Sequence, residues 1–169
     1  ETNESRILYS ESGYADWYKW TNTADYDAGD GSQITGLTTI EGCLVVFKEH
    51  QIKREVWQGV NPPMSQRSDV NRQIGCIAPL TLININAIAY FLSDEGLYAY
   101  NNNTVTSVDK VFNAELKKII QVVGIEALRD ASCGYNPKYN ELYLNIPPLA
   151  SQGYFQNETG ELEYYNHVQ

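Results

Sequence analysis

The 169-residue chain is poor in the side chains from which metal and catalytic sites are most often built, with only two histidines and three cysteines. Cys43, Cys76 and Cys133 are odd in number and widely separated, and none belongs to a Cys-x-x-Cys pair. A disulfide scaffold or a zinc site is therefore not expected. The three thiols are instead predicted to be buried in the core of a protein from a reducing compartment.

Motifs of nucleophilic and metal-dependent enzymes are missing as well. His50 and His167 lie far apart in the sequence, and no Gly-x-Ser-x-Gly elbow, phosphate-binding glycine loop or His-Glu-x-x-His pair occurs. Some of the 21 acidic residues will be neighbours by chance, so they do not indicate a glycosidase pair. We therefore predict that the protein is not an enzyme and has no catalytic residue, metal ligand or cofactor.

Basic residues are also scarce, because 12 Lys and Arg stand against 21 Asp and Glu, for a net charge of −9. A surface this acidic repels phosphate, which excludes tight non-specific binding to nucleic acid. No apolar run approaches the roughly 18–20 residues that a membrane-spanning helix needs, so no membrane partner is expected. The composition does provide 43% hydrophobic residues, enough to bury a globular core.

The dominant pattern is a series of short β-rich runs separated by turn residues. The clearest predicted hairpin joins residues 43–47 to residues 51–57, with one buried and one half-exposed strand. Residues 64–72 are predicted to be a polar loop. The remaining predicted strands cover residues 6–10, 34–40, 80–85, 88–92, 97–100, 104–107, 131–135, 141–146, 154–155 and 161–165. Together they predict a mainly β fold.

These strands indicate an internal repeat. Phe47 and Phe91 each close a buried strand, lie 44 residues apart, and precede a short polar turn and another strand. A period of about 40–50 residues with about four strands is typical of β-propeller blades, and a β-sandwich is the alternative. The blade-like units are expected near residues 1–60, 73–110 and 131–169.

Such a chain is a partial β-propeller of about three to four antiparallel blades, fewer than most closed propellers contain. The chain also begins at Glu1, and its only methionine is Met64. We therefore expect residues 1–169 to be a single propeller fragment of a longer chain.

One segment shows helical periodicity. Between residues 112 and 123 the apolar positions fall on one face, which predicts a short helix inserted between blades. Asn113 is the predicted N-cap, Glu115 belongs to the first turn, and Gly124 follows the last turn. Residues 125–130 are predicted to form a second short helical turn.

One basic cluster stands out. It consists of Lys48, Lys53 and Arg54 together with His50, interleaved with Glu49 and Glu55. On a hairpin these charges are predicted to pair locally with one another, and a phosphate-contacting patch is the alternative.

The segment from Asp25 to Gly31 resembles the opening of a calcium loop, but Gly36 occupies the position of the bidentate glutamate. A turn is therefore predicted there, with a calcium site of another kind as the alternative.

Aromatic residues form the last distinctive group. Trp17 and Trp20 lie in an irregular stretch where they can contact a second subunit or a sugar, or pack across the sheet. Tyr90, Tyr98 and Tyr143 occupy strand positions and are predicted to pack between sheets.

The order of these motifs resembles that of bacteriophage tail proteins with a β-propeller. An opening strand with a tyrosine at residues 6–10 is followed by Asp16-Trp17, by the glycine-rich run at residues 29–37, and by residues 42–48. Residues 74–79 and 89–98 continue the likeness, which extends over about residues 6–148. The tail nozzle and packaged-DNA-stabilisation proteins of short-tailed phages belong to this group.

The resemblance implies a structural component of the virion tail, with no catalytic residues. It implies a ring of copies, most often a hexamer, around the DNA exit channel, with other tail or portal proteins as partners. DNA would be met only in passage, and an acidic wall that repels phosphate suits that role. The alternatives are a carbohydrate-binding or glycan-cleaving propeller for host-surface recognition and a cellular protein-interaction propeller.

Overall fold

The computed structural model describes residues 5–10, 22–26, 32–57, 64–147, 155–156 and 162–163, which form a mainly β structure with two helices. The strands are β1 (Arg6–Tyr9), β2 (Asn22–Asp25), β3 (Ile34–Ile40), β4 (Cys43–Lys48), β5 (Ile52–Trp57), β6 (Met64–Asn71), β7 (Ile83–Ile85), β8 (Ile88–Ser93), β9 (Gly96–Tyr100), β10 (Val105–Ser107), β11 (Ser132–Asn136), β12 (Glu141–Asn145), β13 (Phe155–Gln156) and β14 (Leu162–Glu163). The helices are α1 (Lys110–Val123) and α2 (Ile125–Arg129). The predicted mainly β fold is confirmed.

All described strand pairs are antiparallel and join neighbours in the chain. β3 to β6 form one four-stranded meander, here called sheet I, and β7 to β10 form a second one, sheet II. β1 and β2 form the N-terminal hairpin, and β11 and β12 form hairpin III. The two-residue turns Glu41-Gly42 and Asn86-Ala87 connect the first two strands of each sheet, and all four residues have positive φ. Such turns match the twist of the strands that they join.

Sheets I and II repeat each other in register. A shift of 45 residues carries the pair Thr38↔Val45 onto Ile83↔Tyr90. The same shift carries Val46↔Lys53 onto Phe91↔Tyr98. A shift of 44 residues then carries Phe91↔Tyr98 onto Tyr135↔Leu142 in hairpin III. One hairpin unit therefore occurs three times within residues 32–147, of which 58–63 are not described.

The structure corrects the register of the predicted repeat. The rings of Phe47 and Phe91 are in contact, with centroids 4.9 Å apart and planes inclined by 58°. Phe47 therefore lies on the face of sheet I toward sheet II, and Phe91 on the face of sheet II toward sheet I, so the two are not equivalent residues. The 45-residue shift makes Leu92 the counterpart of Phe47, and Phe91 the counterpart of Val46. The two phenylalanines are thus partners across a junction between two units.

The layers are stacked in chain order. Because side chains alternate along a strand, each sheet has a back face toward the preceding layer and a front face toward the following layer. The front face of sheet I and the back face of sheet II enclose one core cluster, Ile40, Val45, Phe47, Ile52, Cys76, Ala89, Phe91 and Tyr100. A second cluster joins the front face of sheet II to α1, α2 and hairpin III, and includes Leu92, Leu97, Leu116, Leu128 and Ala131. A third joins Ile7, Ala24 and Tyr26 to Val46 on the back face of sheet I.

The predicted polar loop at residues 64–72 is wrong. β6 occupies this segment and pairs along its length with β5. Its polar residues fit a strand because β6 lies at the edge of sheet I, and because alternate side chains meet charged partners on β5. Sheet I consequently extends to Asn71, past the limit at residue 60 that was expected for the first unit.

The helix predicted over 112–123 exists but begins earlier. Its N-cap is Asp109, whose carboxylate accepts a hydrogen bond from the Phe112 backbone N–H at 2.7 Å. The predicted cap, Asn113, is buried instead, and Glu115 lies beyond the first turn. The Asn113 amide binds both the backbone N–H and the backbone carbonyl of Leu97, at 2.9 and 3.0 Å. α2 confirms the second helical turn.

We expect the Asp109→Ala variant to lose about 1 kcal/mol of the free energy of unfolding, because it removes the side-chain cap of α1. Urea unfolding followed by circular dichroism measures the loss. Lys117→Ala on the exposed side of the same helix is the control and should stay within about 0.5 kcal/mol of the parent. An equal effect of the two variants would contradict the assignment of the cap.

Candidate interaction surfaces

Several residues singled out by the sequence lie outside the described residues. These are Trp17, Trp20, His167 and residues 27–31 of the calcium-like segment. Asp25, at the start of that segment, is described and forms an ion pair with Arg6, with the guanidinium Nε 2.6 Å from the carboxylate. This hydrogen bond lowers the pKa of Asp25. The described part of the segment is therefore engaged within the N-terminal hairpin.

The predicted basic cluster is largely inside the protein. Lys48 is fully buried, and its ammonium group donates to the backbone carbonyl of Tyr26 at 2.8 Å. Lys53 is also buried, and its ammonium group lies 2.6 Å from the carboxylate of Asp69. Arg54 points to the front face of sheet I, where it donates to the backbone carbonyl of Asn102 at 3.3 Å. The three cations thus contact three different parts of the chain.

The charges do not pair within the cluster as the sequence suggested. Glu49 pairs with Arg129 of α2, Glu55 with Arg67 of β6, and Lys53 with Asp69 of β6. The prediction of one half-exposed strand is also wrong at Lys53 and Glu55, which are buried. Both corrections have the same reason: sheet I is covered on both faces, so the charges of β5 find partners on neighbouring elements instead of water.

Four of these residues line the back face of sheet I as two neighbouring ion pairs. Lys53 stands directly opposite Asp69, and Glu55 stands directly opposite Arg67, on the paired strands β5 and β6. We call this group, Lys53, Glu55, Arg67 and Asp69, the ionic face. Opposite charges directly across an antiparallel pair are a favourable arrangement. The ionic face gives this side of sheet I a chemistry that sheet II lacks, because Tyr98 and Tyr100 stand at the equivalent positions of β9.

The N-terminal hairpin contacts the ionic face through Tyr26. The Arg67 guanidinium lies over the Tyr26 ring at 4.6 Å from its centroid and donates to the Asp25 backbone carbonyl at 2.8 Å. The Tyr26 hydroxyl and the Glu55 Oε2 atom are both buried without a hydrogen bond. Burial first and then Glu55 raise the pKa of Tyr26 far above its usual value. The hydroxyl and the carboxylate are close enough for Glu55 to affect that pKa, yet neither atom forms a well-aligned hydrogen bond, and a buried polar group in that state costs free energy.

Sequence reasoning missed Arg67 and Asp69 as functional partners. The signal was present, because Arg67, Asp69 and Asn71 alternate with small or apolar residues over a stretch with strand period. Their signs are also the reverse of those of Glu55 and Lys53. A matched pair of alternating charge patterns indicates adjacent strands.

Hairpin III has a polar front face. Its back-face residues Leu142, Leu144 and Ile146 pack in the second cluster. The alternate positions Gly134, Asn136, Glu141, Tyr143 and Asn145 are polar or small, and Tyr143 is 54% exposed. Tyr143 therefore does not pack between sheets as predicted, whereas Tyr98 stacks on Phe91 at 6.2 Å between ring centroids. The apolar stack of described layers ends at hairpin III.

The cysteines behave as structural residues. Cys43 and Cys76 are buried as predicted, and Cys133 is half-buried. Burial raises the pKa of the Cys76 thiol to about 11, and that thiol donates to the Ala78 backbone carbonyl at 3.2 Å. A thiol with a raised pKa is a poor nucleophile at neutral pH. Over the described ranges, no group of three or more His, Cys, Asp or Glu residues is placed to hold a metal ion.

We expect the Asp69→Asn variant to be less stable than the parent at neutral pH, and the difference to shrink as the pH falls below about 4. Hydrogen bonds from Lys53 and then Arg72 lower the pKa of Asp69. A carboxyl group with a lowered pKa contributes stability that is present above its unfolded-state pKa and is lost as the pH falls through its folded-state pKa. Urea unfolding at several pH values between 7 and 3 measures the difference.

The control for this variant is Arg72→Gln, because Arg72 is 78% exposed and its pair with Asp69 is screened by water. A small effect is expected there at every pH. A stability difference between Asp69→Asn and the parent that persists unchanged to pH 3 would contradict the role of the Asp69 charge.

Comparison of the chain with models of known protein families and with curated proteins finds no match. Neither described helix is long and apolar enough to cross a membrane. The stacked layers, the ionic face and the polar front face of hairpin III are therefore the features of the described residues that bear on function.

Proposed function

We propose that the chain is a non-enzymatic structural subunit of a bacteriophage tail. In this proposal it is part of a β-propeller, and copies of it assemble into a ring, favoured as a hexamer, around the channel through which DNA leaves. Its partners are other copies of the chain and other tail or portal proteins, and its location is the virion.

The observation that carries the proposal is the repeat of stacked meanders. Sheets I and II each contain four antiparallel strands in chain order, and a 45-residue shift relates their first three strands. Four-stranded meanders that recur every 40–50 residues and pack face to face are typical of propeller blades. Hairpin III supports the same reading, because it repeats the central hairpin after a further 44 residues.

The charge distribution supports a passage role for DNA. The chain carries a net charge of −9, and the buried cations Lys48 and Lys53 are engaged with a carbonyl and a carboxylate inside the protein. A channel wall with an excess of acidic residues and few exposed cations repels phosphate and does not retain DNA. We therefore expect no retention of duplex DNA in a filter-binding assay even at low salt, where electrostatic binding is strongest.

The proposal is tested by native mass measurement and electron microscopy of the purified chain. The expected result is a ring-shaped homo-oligomer, and antibodies raised against the chain should label the tails of virions from the phage that encodes it. A monomer at all concentrations, together with unlabelled virions, would refute the proposal. Binding on a glycan array, or hydrolysis of surface polysaccharide, would favour a carbohydrate-recognising propeller in its place.

A further inference from the structure

The N-terminal hairpin is held differently from the other layers. At the junction of sheets I and II, apolar side chains fill the contact, and Val45, Phe47, Ile52, Ala89 and Phe91 are all fully buried. At the junction of the N-terminal hairpin with sheet I, a small apolar cluster adjoins the ionic face. The first junction is built like a domain core, whereas the second has the mixed composition of an interface between separate parts.

Two side chains of sheet I donate hydrogen bonds to the backbone of the hairpin, and the Ser5 hydroxyl before β1 donates to the Ser32 carbonyl ahead of β3 at 2.9 Å. Lys48 donates to the carbonyl of Tyr26, and Arg67 donates to the carbonyl of Asp25 while covering the Tyr26 ring. Two cations placed over two consecutive carbonyls and one aromatic ring form a receiving site for this hairpin. Any second copy of the chain carries the same hairpin and satisfies the same site.

The junction also contains features that lower its strength. Among the described residues, two of the three buried side-chain atoms without a hydrogen bond are Tyr26 Oη and Glu55 Oε2, both at this contact. Ionic contacts at a partly exposed junction also weaken as salt rises, whereas apolar packing does not. The hairpin is therefore expected to detach before the stacked sheets unfold.

We propose that the N-terminal hairpin is an exchangeable docking element, which occupies the ionic face of sheet I in its own chain or in a second copy. Five residues separate Tyr26 from Ser32, and a segment of that length spans up to about 20 Å when extended. Exchange of an identical element between copies is a low-cost route to association. This inference rests on the proposed function and names the surface through which copies join.

Two complementary variants of the full chain test the exchange. Tyr26→Ala damages the hairpin and leaves the ionic face intact, whereas the double variant Glu55→Gln/Arg67→Ala damages the face and leaves the hairpin intact. In each variant alone, the amides of β1 and β2 should exchange with solvent at least about tenfold faster, equivalent to about 1.4 kcal/mol, while amides of β4 and β8 stay protected.

Mixing the two variants gives the decisive result. The intact hairpin of the double variant should dock on the intact face of Tyr26→Ala, so its amides recover protection only in the mixture, and native mass spectrometry should show a one-to-one heterodimer. Hairpin amides that exchange as fast in the mixture as in the separate variants would overturn the proposal. Isotope labelling of the double variant ensures that only its hairpin is observed.

Two controls separate docking from folding. Leu8→Ala alters the outer side of β1, where Leu8 is 53% exposed, and should leave hairpin protection within about twofold of the parent. Tyr26→Phe keeps the ring under Arg67, so its hairpin exchange should stay much closer to the parent than that of Tyr26→Ala. Exchange in Tyr26→Phe as fast as in Tyr26→Ala would contradict the docking role of the ring. If Tyr26→Ala also exposes β4 and β8, Tyr26→Leu replaces it in the mixture.

The outcomes distinguish this inference from the proposed function. If the parent chain is oligomeric and its antibodies label tails, but the hairpin amides do not recover protection in the mixture, hairpin exchange alone is overturned. If the hairpin amides recover protection in the mixture, but the antibodies do not label tails, the tail role alone is overturned.

Discussion

The Phe91→Ala variant should lose about 3–5 kcal/mol of the free energy of unfolding, the range measured for large aromatic residues in well-packed cores. Phe91 is fully buried at the junction of sheets I and II, with its ring 4.9 Å from that of Phe47 and 6.2 Å from that of Tyr98. Truncation removes both ring contacts and leaves a cavity that rigid strands on either side cannot close. Because both phenylalanines fill the same junction, Phe47→Ala should cost a similar amount.

Urea unfolding measures the loss as a shift of the midpoint at constant slope. Tyr143→Ala is the matched control, because Tyr143 is an aromatic residue on a strand of the same repeat but is 54% exposed, and its loss should stay within about 0.5 kcal/mol. The double variant Phe47→Ala/Phe91→Ala should cost less than the sum of the single variants, since each removes the same ring contact. Full additivity would show that the two rings do not share one junction.

The hairpins of this fold were predictable because their signals are local. The strand over Ile88–Ser93 and the turn Asn86-Ala87 before it are encoded within a few residues, and the structure has both where the sequence predicts them. The preceding strand, predicted over residues 80–85, covers only Ile83–Ile85, because Pro79–Thr81 form a short 3-10 helix.

Helix α1 was predictable for the same reason, since its apolar residues recur at helical spacing, and Phe112, Leu116 and Ile120 pack in the second cluster. Its start was misplaced because a capping residue and a buried asparagine look alike in sequence, and only tertiary contact with Leu97 distinguishes Asn113.

What the sequence did not reveal depends on partners far away in the chain. β6 looked like a loop because its polar residues gain a strand environment only beside β5. The equivalence of Phe47 and Phe91 looked sound because both are buried phenylalanines in the same kind of strand. Which face of a strand a residue occupies changes with a shift of one position, and the stacking of the layers decides it.

In the candidate site too, local features were predictable and contacts between distant residues were not. The sequence identified Lys48, Lys53 and Arg54 as a group, but it assigned their partners by proximity in the chain. The pairs actually run from Lys53 to Asp69, 16 residues away, and from Arg129 to Glu49, 80 residues away. Ion pairs of this kind follow from strand register and layer order, which local patterns do not contain.

The second large effect is expected at Gly75, in the buried connection from sheet I to sheet II. A Cβ atom at this position would lie 2.2 Å from the Lys48 carbonyl oxygen and 2.6 Å from the Gln51 backbone nitrogen. Both are main-chain atoms, one at the end of β4 and one in the turn before β5, so no side-chain rotation relieves the clash. The adjacent Cys76 N–H also donates to the Lys48 carbonyl at 2.9 Å, and displacing the connection breaks this bond. We therefore expect Gly75→Ala to cost about 3 kcal/mol or more, at or above the upper end for overpacking.

Two other glycines make the Gly75 prediction specific. At Gly134 in β11 an added Cβ meets nothing within 4 Å, so Gly134→Ala should be neutral or stabilise by about 0.4–1 kcal/mol through the unfolded chain. At Gly36 the added atom would lie 2.5 Å from Leu82 Cδ2, the end of a flexible side chain, and an intermediate cost is expected. Urea unfolding of the three variants should rank them Gly134, Gly36, Gly75 in increasing cost. If Gly75→Ala were as mild as Gly134→Ala, the connection would not press against the β4–β5 turn.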